Sequence, residues 1–312
     1  MNAARGGCLG LITAQMGSMQ TRRDVLVGIA GVLAARSALA QQAIRVVATF
    51  SILGDLVKNV GGERIDLSTL VKANADVHVY SPTPNDATSI AAATVVFVNG
   101  LGLEGWIARL ISASGTKASA VVASNGVKPL KIEGERIATD PHAWQSVANS
   151  KIYVANIRDG LSLVDGVNKD GYHANARVYL AKLDALDKEV RESVDKIPPE
   201  RRKVIATHAA FRYFADAYGM EFIAPEGITT DAEPSASDVA RIIAQIRQQR
   251  IFAVFTENVS DPRLMQQIAK ETGARIGGTL YSDALSGPSG PAGTYIDMMR
   301  HNVRELTKAL GA

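Results

Sequence analysis

Residues 203–220 read KVIATHAAFRYFADAYGM. The run Val204–Thr207 is short and apolar, as a buried strand requires. It stops at His208. Ala209, Phe211, Phe214, Ala215 and Tyr218 then recur at helical spacing, which predicts a helix starting directly after the histidine. In α/β proteins ligands bind beyond the carboxyl ends of the strands, where a strand hands over to a helix. His208 is therefore either a polar helix-start residue or a ligand-binding group, and this stretch alone leaves both open.

The same alternation extends in both directions. Towards the C-terminus, Glu221–Ala224, Ile251–Phe255 and Arg275–Tyr281 read as strands. They alternate with helices over Ser235–Gln249, from Asp261-Pro262 to Thr272, and over Thr294–Leu310. Ser235 and Asp238 have the spacing of an N-terminal capping box. His301, on the last helix, is expected to face solvent. Towards the N-terminus, Ile44–Phe50, Arg64–Val71, Thr94–Asn99 and Ala118–Ala123 are strand-like, with helices between them. Between the two series, Tyr172, Ala176, Tyr179, Leu180, Leu183, Leu186, Val190 and Val194 trace one long helix that Pro198-Pro199 ends. At 1.5 Å per residue it would span roughly 35–40 Å. His173, near its start, is expected to be exposed. The fold class is therefore α/β: two lobes, each a parallel β-sheet flanked by helices, joined by one long spine helix. The boundaries are an N-terminal lobe over 41–167, the spine over 168–197 and a C-terminal lobe over 198–312.

Residues 1–40 read as an export signal. Arg22-Arg23 precede the apolar segment Val25–Ala35, and Ala38-Leu39-Ala40 is a small-x-small cleavage site. The arginine pair has twin-arginine character, and the apolar segment is too short to span a bilayer. Met19 is a candidate start. Cys8, the only cysteine, lies in this leader with no apolar run before it, unlike a lipoprotein cysteine. The whole chain carries +3, but without the leader's four arginines and one aspartate it holds 30 basic and 30 acidic residues. A near-neutral mature chain with no basic stripe excludes a nucleic-acid partner.

With the thiol gone, a metal site must use His, Asp or Glu, and the chain has only five histidines. His78, His208 and Asp283 each sit just past a strand end, and His142 lies in a loop stiffened by Pro141. Three imidazoles and a carboxylate suit a divalent transition metal such as zinc. One competing motif needs weighing: Gly100–Gly105, GLGLEG, fits the six-residue dinucleotide spelling between a strand and a helix. It follows the third strand of its lobe, and no acidic residue closes a neighbouring strand about 20 residues on. It reads as a turn with close packing.

DVHVYSPTP (76–84), DPHAW (140–144), THAAFRYFADAYG (207–219), EPSASD (233–238) and LYSDAL (280–285) occur in this order. Together they resemble the motifs of the zinc/manganese solute-binding proteins of ABC transporters, from about Ile44 to the C-terminus, including the spine stretch YHANARVYLAKL. The resemblance implies metal held in the cleft between two lobes, with His78, His142, His208 and Asp283 as its ligands. It implies delivery to a membrane permease, a periplasmic location and no catalysis. A monomer, and a periplasmic metallochaperone as a further partner, are the remaining expectations. Val77 stands where many members have proline, and Ser146 where many have aspartate. The long His/Asp-rich loop of many zinc-specific members is missing. The family's third ligand is His or Glu, and Glu goes with manganese. His208 thus favours Zn2+, with Mn2+ or mixed specificity as the alternative. A zinc hydrolase is a further alternative, with Glu257 the nominated base or else a residue that supports a ligand or caps a helix. A surface adhesin on the same fold would be expected to carry a lipid-anchoring cysteine.

Overall fold

The computed structural model describes residues 42–132 and 139–311. The expected export signal, Cys8 and Met19 lie outside the described residues. Residues 43–312 form one compact unit.

The first half runs β1 (Ile44–Phe50), α1 (Ser51–Gly61), β2 (Ile65–Val71), α2 (Pro84–Ala92), β3 (Val95–Val98), α3 (Ile107–Ser114) and β4 (Ser119–Val122). Its strands pair in parallel in the order β2-β1-β3-β4. β3 reads VVFV and is buried at all four positions, the pattern of a strand covered on both faces. Helix α4 (Val147–Val164) and the spine α5 (Lys169–Val194) follow. The second half repeats the plan: β5 (Lys203–Ile205), α6 (Arg212–Tyr218), β6 (Glu221–Ile223), α7 (Ala236–Gln249), β7 (Ala253–Glu257), α8 (Arg263–Thr272), β8 (Arg275–Leu280) and α9 (Tyr295–Leu310). Its parallel order, β6-β5-β7-β8, is the same winding. In each sheet the chain switches sides beside the first strand, and there the carboxyl ends leave a crevice.

Capping boxes start α2 (Thr83 with Asp86) and α7 (Ser235 with Asp238), as the latter spacing predicts. The spine has 26 residues, about 39 Å long. Seven of its eight predicted inward positions are buried, and Leu180 is half-buried. It packs on α1 and α4 from the first half and on α9 from the second. One hydrophobic core consequently runs through both halves, from Val46 to Leu310. A smaller second core, built from Ile205, Ile242, Ile246, Val254, Met265 and Ile268 among others, lies under α7 and α8.

Three expectations are corrected. The helix after His208 does not start at once: Thr207–Phe211 form a turn before α6. The turn's amides find partners outside any helix, as described below. His301 does not face solvent; it is buried, 2.9 Å from the Thr279 carbonyl through Nε2, with Arg304 2.9 Å from Nδ1. His173 is half-buried rather than exposed. Among the described residues no helix is long and apolar enough to cross a membrane.

Candidate metal centre

The four singled-out side chains reach one point from four loops, each past the carboxyl end of a strand. His78 lies past β2, His142 past β4, His208 past β5 and Asp283 past β8. All four side chains are buried; even that of His78 is only 2% exposed.

His78 sits on a turn in which Asn74 adopts a positive φ of 56° and donates its N–H to the Leu285 carbonyl. Asp76 Oδ1 accepts the His78 N–H at 2.8 Å. The Trp106 indole donates to the Val77 carbonyl at 3.1 Å and fixes the same turn. His142 follows the stiff Asp140-Pro141 pair. Asp140 Oδ1 accepts both the His142 N–H, at 2.9 Å, and the ring Nδ1–H, at 2.8 Å. Asn99 donates to the Pro141 carbonyl at 3.0 Å. At His208 the holding group comes from another strand. Glu257, the last residue of β7, accepts the Thr207 and His208 N–H groups on Oε1 at 2.8 and 3.0 Å, and its Oε2 lies 2.6 Å from His208 Nδ1. The Ala209 N–H goes to the Gly227 carbonyl. These bonds satisfy the amides that a helix start would otherwise leave orphaned, which is why the turn precedes α6. Asp283 is placed through its neighbour: the Trp144 indole and the Gln145 amide both donate to the Ser282 carbonyl, at 2.9 and 2.8 Å.

The Nε2 atoms of His78 and His142 face each other at 3.2 Å. Asp283 Oδ2 lies 3.3 Å from His78 Nε2 and 3.1 Å from His208 Nε2, and Oδ1 lies 3.5 Å from His142 Nε2. One ligand atom from each residue falls within 4.8 Å of all the others. A tetrahedral ion with bonds near 2.1 Å needs donor–donor edges of about 3.4 Å. Neither Asp283 oxygen, nor His208 Nε2, takes part in a well-directed hydrogen bond, although all three atoms are buried. Buried polar atoms without partners are costly, and a cation supplies the missing partner for all of them. Asp140 Oδ1 at His142 Nδ1 and Glu257 Oε2 at His208 Nδ1 favour Nδ1–H tautomers, with both Nε2 atoms turned into the cluster.

Charge follows the same geometry. Burial alone would push the His208 pKa down, but Glu257 and Asp283 outweigh it and hold it well above the ordinary value. Burial would push Asp283 up, but His208 and His142 hold it well below the usual carboxylate range. A metal ion bound in this cluster would compete with a proton on His208. Replacing Asp140 by Ala removes the acceptor that holds the His142 ring, and metal affinity should drop about 10- to 100-fold, the loss typical of such outer partners. Chelator-competition titration checks it; an affinity within threefold of the parent would refute the positioning role.

Glu257 is held at the His208 turn: Oε1 accepts the Thr207 and His208 amides, and Oε2 lies 2.6 Å from His208 Nδ1. Glu104 closes the GLGLEG turn itself: its carboxylate accepts from Thr49 Oγ1 and from the Asn99 and Gly100 amides. Gly100 and Gly102 take positive φ, 83° and 86°, to make that turn. A buried carboxylate occupies the amides that a phosphate would need, so the turn is structural. Asp76 and Asp140 carried no weight in the sequence reading. The readable signal was Asp-x-His, present at both 76–78 and 140–142.

Comparison with known proteins agrees with this architecture. An iron-binding protein of Yersinia pestis is 36% identical over 269 residues, 86% of each chain. A manganese ABC transporter substrate-binding lipoprotein of Streptococcus mitis is 32% identical over 295 residues, 92% of this chain and 96% of that one. The solved periplasmic zinc-binding protein of Treponema pallidum superposes with a TM-score of 0.82 at 28% identity, covering 86% of this chain and all of the other. Residues 46–309 match the family described as zinc-uptake complex component A, periplasmic. Two wound sheets bridged by a spine, with a buried His/Asp cluster between them, are thus the form this family takes here, and the chain belongs to it.

Proposed function

We propose that this protein binds a divalent transition metal, Zn2+ in preference to Mn2+, through His78, His142, His208 and Asp283, and hands it to the membrane permease of an ABC transporter. The metal is cargo, not a cofactor. One observation carries the reading: three imidazole nitrogens and one carboxylate converge, buried, between the two halves of a substrate-binding fold. Three nitrogens and one oxygen favour zinc over manganese by ligand softness. The relatives point several ways, being named for iron, manganese and zinc. Manganese or mixed specificity is therefore the second reading. Four protein ligands would close the coordination sphere, and the nominated base Glu257 is held against His208, which argues against a hydrolase. The leader supports export to the periplasm, with twin-arginine character. The spine and the shared core support modest rather than large closure on binding. Elemental analysis of purified protein, then competition between zinc and manganese, tests the reading. Purification without stoichiometric metal, and no submicromolar uptake of either ion, would overturn it.

Proton competition gives a second check. In metal-free protein the raised His208 pKa means that its charge contributes stability in full below the unfolded value of about 6.5. That contribution disappears as pH rises through the folded value. Metal-free protein should weaken above neutrality while metal binding tightens. The rise in melting temperature on adding zinc should therefore grow from pH 6 to pH 8. A shift that stays constant or shrinks over that range would contradict displacement of a His208 proton.

A further inference from the structure

The three histidines are not held alike. Each has its N–H accepted by a buried or half-buried carboxylate: His78 by Asp76, His142 by Asp140, His208 by Glu257. For His142 and His208 the same carboxylate group also holds the ring at Nδ1. For His78 it does not, and among the described residues no hydrogen bond reaches its Nδ1. The free oxygen of Asp76, Oδ2, instead accepts the hydroxyl of Thr230 at 2.5 Å. Thr230 belongs to the opposite half, in the irregular segment 224–235 that leads from β6 into α7.

Two kinds of contact join the halves: those at the His78 turn, where the Asn74 N–H also reaches the Leu285 carbonyl, and those deeper in the molecule. Trp144, Tyr213 and Tyr295 cross the boundary inside the shared core, bonding to the carbonyls of Ser282, Asp140 and Trp144. Thr230 is only half-buried, and α7 packs its buried face, Ile242 and Ile246, into the small separate core. Asp76 and Thr230 line a solvent-open cavity of about 440 Å³ together with Glu226, Glu233 and Asp261. Glu226 and Gly227 of this segment bond to the His208 turn and Ile228 is buried, so only the stretch after them can shift without disturbing His208, and a bond that such a shift would break is the Thr230 bond on the His78 turn.

We infer that Thr230 is a positioning residue for metal exchange: its hydroxyl latches Asp76, Asp76 holds the His78 turn, and His78 is the first ligand to leave. This rests on the metal-binding reading of the site. Opening the latch loosens His78 while His142, His208 and Asp283 keep their supports, so release accelerates without loss of the bound-state geometry.

The test is zinc release from loaded full-length protein into excess chelator by stopped flow, for the parent, Thr230→Val, Thr230→Ser and Asp76→Ala. Thr230→Val, which keeps the shape and removes the hydroxyl, should release zinc about tenfold faster, as expected for one hydrogen bond to a charged acceptor. Its association rate should match the parent within about twofold, and its cobalt-substituted absorption spectrum should be unchanged. Thr230→Ser should restore slow release. Adding Thr230→Val to Asp76→Ala should cause no further acceleration, since the bond is already gone. Unchanged release from Thr230→Val overturns the latch, and so does an altered cobalt spectrum, which would indicate a general structural role. If the parent itself fails to bind zinc or cobalt, the metal-binding reading fails instead, a distinguishable result.

Discussion

Asp283→Ala should lower zinc affinity by about 100- to 4,000-fold, the largest loss expected from any single substitution in this protein. Asp283 is the only anionic group among the four converging side chains, and both of its oxygens face imidazole nitrogens at 3.1–3.5 Å. Its side chain is fully buried, so water cannot replace it cheaply. Removing one partner from a buried charged cluster typically costs 3–5 kcal/mol, which converts to that range of affinity at about 1.4 kcal/mol per factor of ten. The fold should survive. Asp283 is placed by bonds to the Ser282 carbonyl and not by its own carboxylate, and the shared core does not include it. The metal-free variant should also lose the raised His208 pKa in part, because Asp283 is one of its two causes. Calorimetric titration with a competing chelator measures the affinity, and thermal melting of metal-free protein measures the fold. A loss below tenfold in a folded variant would remove Asp283 from the ligand set.

How much of this was readable in advance depends on the distance between partners. The strands and most helices were legible because apolar runs and 3.6-residue spacing are local signals; the spine shows this at Tyr172, Ala176, Tyr179, Leu183 and Leu186. Residue type alone misplaces His301, since helical angle decides which face it takes. It lies three residues after buried Met298 and on the inner face with Asn302, and the Thr279 carbonyl satisfies it there. The turn after His208 was not legible, since its amide partner Glu257 is 49 residues away. The nomination of Glu257 was sound as to place, and its alternative role in holding a ligand is the one its bonds favour. Asp140 could have been found from the repeated Asp-x-His spacing. Thr230 could not: its partner lies 154 residues away, on the other half of the molecule. The support of the His208 ring by Glu257 was not legible either, since it too joins residues 49 apart.

That support makes a sharper test of position 208 than a simple exchange. In this family a glutamate at the third ligand position goes with manganese, so His208→Glu should in principle harden the site and shift it from zinc towards manganese. Here the exchange should fail by itself. Glu257 Oε2 lies 2.6 Å from His208 Nδ1 and fits a ring N–H; a carboxylate at 208 would meet a second buried carboxylate instead. Two such groups beside Asp283 cannot all stay ionised around one divalent ion, so His208→Glu should lose at least about 100-fold in affinity for both metals. Glu257→Gln alone removes the acceptor of the ring proton and should cost about 10- to 100-fold in zinc affinity. The double variant should recover manganese binding to better than either single variant, because the amide can donate to the new carboxylate while its oxygen still accepts the Thr207 and His208-position amides. The two changes should therefore couple by at least about 1.4 kcal/mol, a factor of ten, in manganese affinity, with the manganese-to-zinc ratio rising above that of the parent. Additive losses would mean that Glu257 supports the turn and nothing else. A coupled recovery would mean that metal preference is written in the pair 208 and 257, and that an imidazole at 208 selects zinc only while a carboxylate at 257 holds its proton.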